Sequence, residues 1–194
     1  MAKDQTSSPT ISNENLFLNF TIEAKEGRDV ATCDIMGAFL QTDIPEGPDK
    51  VHIKLDGAMV ELLAKINPQF YPKYIILSIK GKPVLYGESR KAIYGTLNAS
   101  LLFYKKVIKS IQDWGFELNT YEWCCANKII DGKQCTIVWN VDDLKISHVD
   151  PNVVTAVIAD IQKEYDKNDT VTFTRGKVHN YLGIKNYFFA PEKV

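Results

Sequence analysis

The sequence predicts an α+β domain, a mainly antiparallel sheet with helices packed on one face. Three observations predict it. Several segments carry apolar residues at helical spacing, as in Leu97, Leu101, Tyr104, Ile108 and Ile111. Asp131-Gly132 joins two β-rich runs and favours a type I′ hairpin. Helices and strands do not alternate strictly, so a doubly wound parallel sheet is not indicated.

The elements follow in order. Residues 12–24 read as a helix carrying Leu16, Phe17, Phe20 and Ala24, stopped by Gly27. Residues 29–35 form a short strand, and 37–41 a helical turn. Residues 51–55 alternate as a half-exposed strand. Residues 57–66 form a short helix with Met59, Leu62, Leu63 and Ile66 inward. Residues 74–79 and 83–86 flank Lys80-Gly81-Lys82 as a hairpin. The strongest helix starts near Thr96, and Gly115 stops it. Residues 124–130 and 134–141 form the hairpin about Asp131-Gly132. Asp142-Asp143 interrupts the return strand, and 144–148 resume extended structure. Asp150-Pro151 opens a helix as N-cap and first residue, with Val153, Val157, Ile161 and Tyr165 inward. Residues 166–169 form a loop, Val171 and Phe173 mark a strand, and 181–189 another.

Composition excludes several classes. The chain has 194 residues, 45% of them hydrophobic and 24% charged, which supports a folded core rather than disorder. A formal net charge of -1 argues against gripping nucleic acid by bulk charge. Cys33, Cys124, Cys125 and Cys135 form neither a zinc motif nor a disulfide framework, and read as buried thiols. The start of the sequence is polar, without the apolar stretch of a signal peptide, and no run is long enough to span a bilayer.

Chemistry concentrates at Asp142-Asp143. A carboxylate pair at a hairpin tip suits a hard divalent cation, although Asp also serves as an ordinary turn residue. Asp34 ends another strand and can join the pair, or cap the turn that follows it.

Four blocks then carry a resemblance. Asp34-Ile-Met-Gly-Ala-Phe39-Leu-Gln, the segment from Tyr94-Gly95-Thr-Leu-Asn98 to Tyr104, Val141-Asp142-Asp143-Leu144, and Tyr181-Leu182-Gly183-Ile184 stand in the order of a known family. From about residue 7 to 189 the chain resembles the reverse transcriptase of copia-type LTR retrotransposons. The resemblance implies one domain over residues 1–194, a reverse-transcriptase-like palm with part of the fingers. It implies an RNA-directed DNA polymerase, a nucleotidyltransferase acting on an RNA or DNA template-primer and dNTP. Asp34, Asp142 and Asp143 would be both catalytic and metal-binding. They would hold two Mg²⁺ ions, or Mn²⁺, about 3.5–4 Å apart. Phe39 would be the steric gate against a ribose 2′-hydroxyl, with ordinary packing as its other role. Tyr94, Gly95 and Asn98 would lie at the template and incoming nucleotide, and Tyr181, Leu182 and Gly183 on the primer side.

The sequence departs from the family at Asn140, where a Tyr is usual, at Asn98, where a Gln is usual, and at Leu97 and Leu101, where Lys and Arg are usual. Those departures touch the grip on nucleic acid more than the carboxylates. The family also implies a truncated Pol polyprotein fragment. The basic fingers segment, thumb and RNase H regions are expected outside it, and integrase and RNase H as partners. No membrane is expected, and an intracellular, cytoplasmic particle is. On that expectation the span alone would not polymerise. Two other readings stand beside it: an inactive or repurposed remnant acting as a nucleic-acid-binding or interaction module, and a two-metal nuclease or phosphohydrolase.

Overall fold

A computed structural model describes residues 8–47, 50–96, 98–166 and 171–187. Leu97, and the ends of the expected loop 166–169 and strand 181–189, lie outside the described residues. The order is α1 (Asn13–Glu26), β1 (Asp29–Ile35), a 3-10 turn (Ala38–Gln41), β2 (His52–Asp56), α2 (Ala58–Ile66), a second 3-10 turn (Tyr71–Tyr74), β3 (Ile75–Leu77) and β4 (Pro83–Glu88). Then come α3 (Ala99–Asp113), β5 (Glu117–Leu118), β6 (Cys125–Ile130), β7 (Lys133–Asn140), β8 (Asp143–His148), α4 (Pro151–Tyr165), β9 (Val171–Arg175), β10 (Val178–Tyr181) and β11 (Ile184–Tyr187). The fold is a mix of helices and antiparallel sheet, as the sequence predicts.

Local chemistry sets the element ends. The Ser12 side chain accepts from the Asn15 N–H, and Gly27 closes α1 in the left-handed region at φ 63°. Asp150 caps α4 by accepting from the Asn152 N–H, with Pro151 at the first helical position. Asp131 and Gly132 both have positive φ, 49° and 73°, as a type I′ turn requires.

The main sheet runs β5-β6-β7-β8-β1-β9, every neighbouring pair antiparallel. Its two faces differ because side chains alternate along each strand. One face carries Ala31, Cys33, Ile35, Ile137, Trp139, Leu144 and Ile146, all buried. It packs against α3 and α4, with the Phe103 and Tyr165 rings 6.2 Å apart. The other face is polar. There α1 crosses the strands, and its Glu23 forms a buried ion pair with Lys145 of β8. A separate three-stranded sheet, β2-β4-β3, lies with α2, and β10–β11 form a hairpin.

Several expectations need correction. On α2 the buried residue is Val60, while Met59, Leu62 and Ile66 are more than half exposed. Three short strands offer too little surface to cover a whole apolar stripe. On α3 the buried face is Ala99, Phe103, Val107, Ser110 and Ile111, so Leu101, Tyr104 and Ile108 sit at its flank. The helix begins at Ala99, after an Asn98 that makes no side-chain capping bond. On α4 Val154 takes the buried place expected for Val153. The continuous strand expected from Tyr181 onward is instead two strands, folded back at Leu182 (φ 50°) and Gly183 (φ 76°) in a type I′ turn.

Candidate active site

The antiparallel pairing of β1 with β8 sets Asp34 directly opposite Asp143, joining segments 109 residues apart in sequence. Asp143 in turn faces Asn140 of β7, and Asp34 faces Thr172 of β9. One polar row therefore crosses four strands: Asn140, Asp143, Asp34, Thr172. Alternation puts this row on the polar face, with Lys145. Asp142 stands in the two-residue turn between β7 and β8, and its carbonyl accepts from the Ile35 N–H at 3.3 Å.

That turn is strained. Val141 has φ 59°, a region a β-branched residue avoids. Positive φ at the first central residue alone is the type II′ pattern, which Gly normally fills. A valine there stores of order 1–3 kcal/mol.

The electrostatics are those of crowded like charges. Partial burial raises the carboxyl pKa of Asp142 and of Asp143 above the ordinary value, and the Asp34 charge adds to both. Among the described residues, none of the three enters an ion pair. Carboxylate oxygens are the donors that Mg²⁺ or Mn²⁺ prefers, so the donor chemistry fits. The side chains are not gathered into a cage: among the described residues no three Asp, Glu, His or Cys form a group that could hold an ion.

An aromatic pair borders the aspartates. Phe39, in the 3-10 turn after β1, lies with its ring 4.4 Å from that of Tyr94. Phe39 also packs on the core, its ring 6.1 Å from Phe103, while Tyr94 is half exposed. Burial raises the Tyr94 hydroxyl pKa, and the charges of Asp142 and Asp34 raise it further, which places this ring in their field. Gly95 (φ 86°) bends the chain after it, and Asn98 stands at the N-cap of α3. Of that block it is Tyr94 whose hydroxyl feels the aspartates.

Tyr181 is buried, and its hydroxyl donates to the Asp143 carbonyl at 3.1 Å. It thus supports the strand that carries the carboxylate. Leu182 and Gly183 form the turn beyond it.

Sequence reasoning missed the polar layer between this row and α1. Lys145 is 1% exposed and its partner Glu23 2%. The ammonium lies 4.7 Å from the centre of the Phe20 ring, and burial pushes its pKa down while Glu23 opposes that. The Arg28 guanidinium donates to Thr136 and Ser147 hydroxyls at 3.0 and 3.3 Å. A lysine within the apolar run Leu144-Lys145-Ile146 was the available signal.

No protein-family model matches this chain, and no curated protein sequence matches it. Solved structures give distant likenesses. Apo telomerase from Candida tropicalis aligns with a TM-score of 0.48 and 11% identity, over 95% of this chain and 36% of that one. The same enzyme truncated from its C-terminal domain gives 0.49 and 11%, over 96% and 40%. Telomerase from Candida albicans with a fragment of telomeric RNA gives 0.47 and 10%, over 96% and 35%. The chain spans well under half the length of each. Likeness at this level carries no argument about activity. Among the described residues no helix is long and apolar enough to cross a membrane.

Proposed function

We propose that this chain is the palm, with part of the fingers, of a copia-type reverse transcriptase that adds dNTPs to a primer 3′-hydroxyl. The observation that supports this reading is the meeting of Asp34 with Asp143, beside Asp142, across one strand pair. Chain order alone does not require it, whereas a shared metal site does.

Asp34, Asp142 and Asp143 would hold the divalent ions. Ions bound there would supply positive charge at the reacting phosphate and make the primer hydroxyl more acidic. The Phe39 and Tyr94 rings would bound the sugar pocket, so that a 2′-hydroxyl meets the aromatic edge. Tyr181 would keep Asp143 in place through its hydrogen bond to the backbone. Template-primer, integrase and RNase H as partners belong to the same proposal.

Mn²⁺ titration followed by electron paramagnetic resonance tests the metal role. The wild type should bind, and Asp34→Asn and Asp142→Asn should each lose most of that binding. Equal binding by all three proteins would sink the reading. Primer extension then separates polymerase from hydrolase: aspartate-dependent dNTP incorporation supports the first, and nucleotide release from labelled substrate the second. The loose grouping of the carboxylates favours a second reading, a remnant that binds nucleic acid without catalysis. Template-primer binding indifferent to Mg²⁺ and to Asp142→Asn would select it.

A further inference from the structure

The helix α2 carries an apolar stripe that faces solvent. Met59, Leu62 and Ile66 fall at i, i+3 and i+7, so the three share one side. All three are more than half exposed. Val60 is buried and Ala64 half-buried, so their side of the helix meets the small sheet. At 3.6 residues per turn Leu62 stands opposite those two, at the outermost point of the helix. Just past α2 the rings of Phe70 and Tyr74, 5.2 Å apart, are half exposed as well. Singly exposed apolar residues are ordinary, whereas a contiguous patch marks an interaction surface.

Charge on the same helix says what that surface fits. Met59 and Ile66 flank Leu62 on one side, and Glu61 and Lys65 on the other. Among the described residues neither Glu61 nor Lys65 enters an ion pair, although they stand one turn apart. When a second α2 runs antiparallel across Leu62 about a two-fold axis, each flank meets its own counterpart in reverse order. Glu61 then faces Lys65 of the other copy, and Lys65 faces Glu61 of the other copy. Met59 and Ile66 exchange in the same way on the apolar flank. Both exchanges put the axis at one place, beside Leu62 and Leu63. A parallel pair would instead set the apolar flank of one helix on the charged flank of the other.

We infer that α2 is a self-association surface, through which two copies of this chain pair antiparallel. A two-fold interface demands a patch complementary to itself, and this helix supplies one in both shape of stripe and order of charge. Leu62 leaves water at the centre with Met59 and Ile66 beside it, and two ion pairs at the rim fix the orientation. Asp34, Asp142 and Asp143 stand on the other sheet, and pairing asks nothing of their chemistry.

Sedimentation velocity over a range of protein concentrations tests it. The wild type should pass from monomer to dimer as concentration rises. Leu62→Glu, at an exposed position, should sediment as a monomer throughout. Glu61→Lys and Lys65→Glu should each weaken the dimer about tenfold at low salt, since two attractions become two repulsions. Mixing those two variants should restore it, because each then meets its opposite charges. Both changes in one chain should restore it too. Loss of structure would not be rescued by mixing, and circular dichroism checks folding directly. Asp142→Asn should dimerise as the wild type does. A wild type that stays monomeric, a dimer indifferent to Leu62→Glu, or charge variants that mixing fails to rescue would overturn the inference.

Discussion

The two larger sheets of this chain solve the same problem in different ways. The six-stranded sheet is closed on one side by α3 and α4, and its polar side is tied down by Glu23 of α1 and by Arg28 just beyond that helix. The three-stranded sheet has one short helix against it, and leaves Met59, Leu62, Ile66, Ile76, Ile79 and Tyr86 in solvent. The first unit holds side chains in place and positions carboxylates. The second keeps its apolar and basic groups available. The difference teaches that hydrophobic pattern alone does not say which residues form a core, because burial needs a partner surface of matching size.

The sharpest way to break this contrast is to make comparable deletions in both units. Phe103→Ala should cost about 3–5 kcal/mol, since the ring is fully buried between Phe39 and Tyr165. Ile79→Ala should cost less than about 0.5 kcal/mol. Urea unfolding measures both, and a loss of more than about 1.5 kcal/mol at Ile79 would mean that the small sheet has a hidden partner surface.

High pH should act next most strongly, and on one unit. Burial pushes the thiol of Cys124 up to about 12 and those of Cys125 and Cys135 up to about 11, from 9.0. A thiol raised on folding contributes stability that is fully present below pH 9 and is lost as pH rises through the folded value. No cysteine lies between Lys50 and Lys91. Stability measured between pH 8 and pH 11 should therefore fall, and thiol-specific reagents should react only as it does. Rapid labelling at pH 8 would contradict the burial. Replacing Cys135 by Val should flatten part of the fall.

Val141→Gly should stabilise the main sheet by about 1 kcal/mol through relief of its left-handed backbone, read as a raised urea midpoint. No gain would show that other contacts at the turn compensate. The smallest expected effect is at the carboxylates. Asp143→Asn removes one of two like charges set directly opposite each other and should stabilise by about 0.2–1 kcal/mol at neutral pH. The same variant should lose Mn²⁺ binding, so stability and metal affinity should move in opposite directions.

What the sequence made legible was local. Gly27, Asp131-Gly132 and Asp150-Pro151 act within a few residues of themselves, and each ends or turns an element as expected. The faces of α2 and α3 were read less well, because the side chosen for burial depends on which surface lies opposite. Thr96 is not the start of α3, since the left-handed Gly95 holds the chain in a turn just before it. The order of the blocks leads one to expect Asp34, Asp142 and Asp143 together, and strand register sets Asp34 opposite Asp143. Thr172 and Asn140 were not legible as members of the same row, because register is fixed between strands and not within one. The pairing of Glu23 with Lys145 spans 122 residues, and while Lys145 stands out inside an apolar run, nothing in the local pattern names its partner.

That last pair bears on how this sequence can change over generations. With either charge removed, the other is left buried and unpartnered, at a cost of about 3–5 kcal/mol. Replacing both by apolar residues of similar size can be close to neutral. Every single step away from Glu23 and Lys145 is thus a descent, while the double step is level ground. Two positions far apart in the chain are held to a joint history, and a lineage that loses one must soon replace the other.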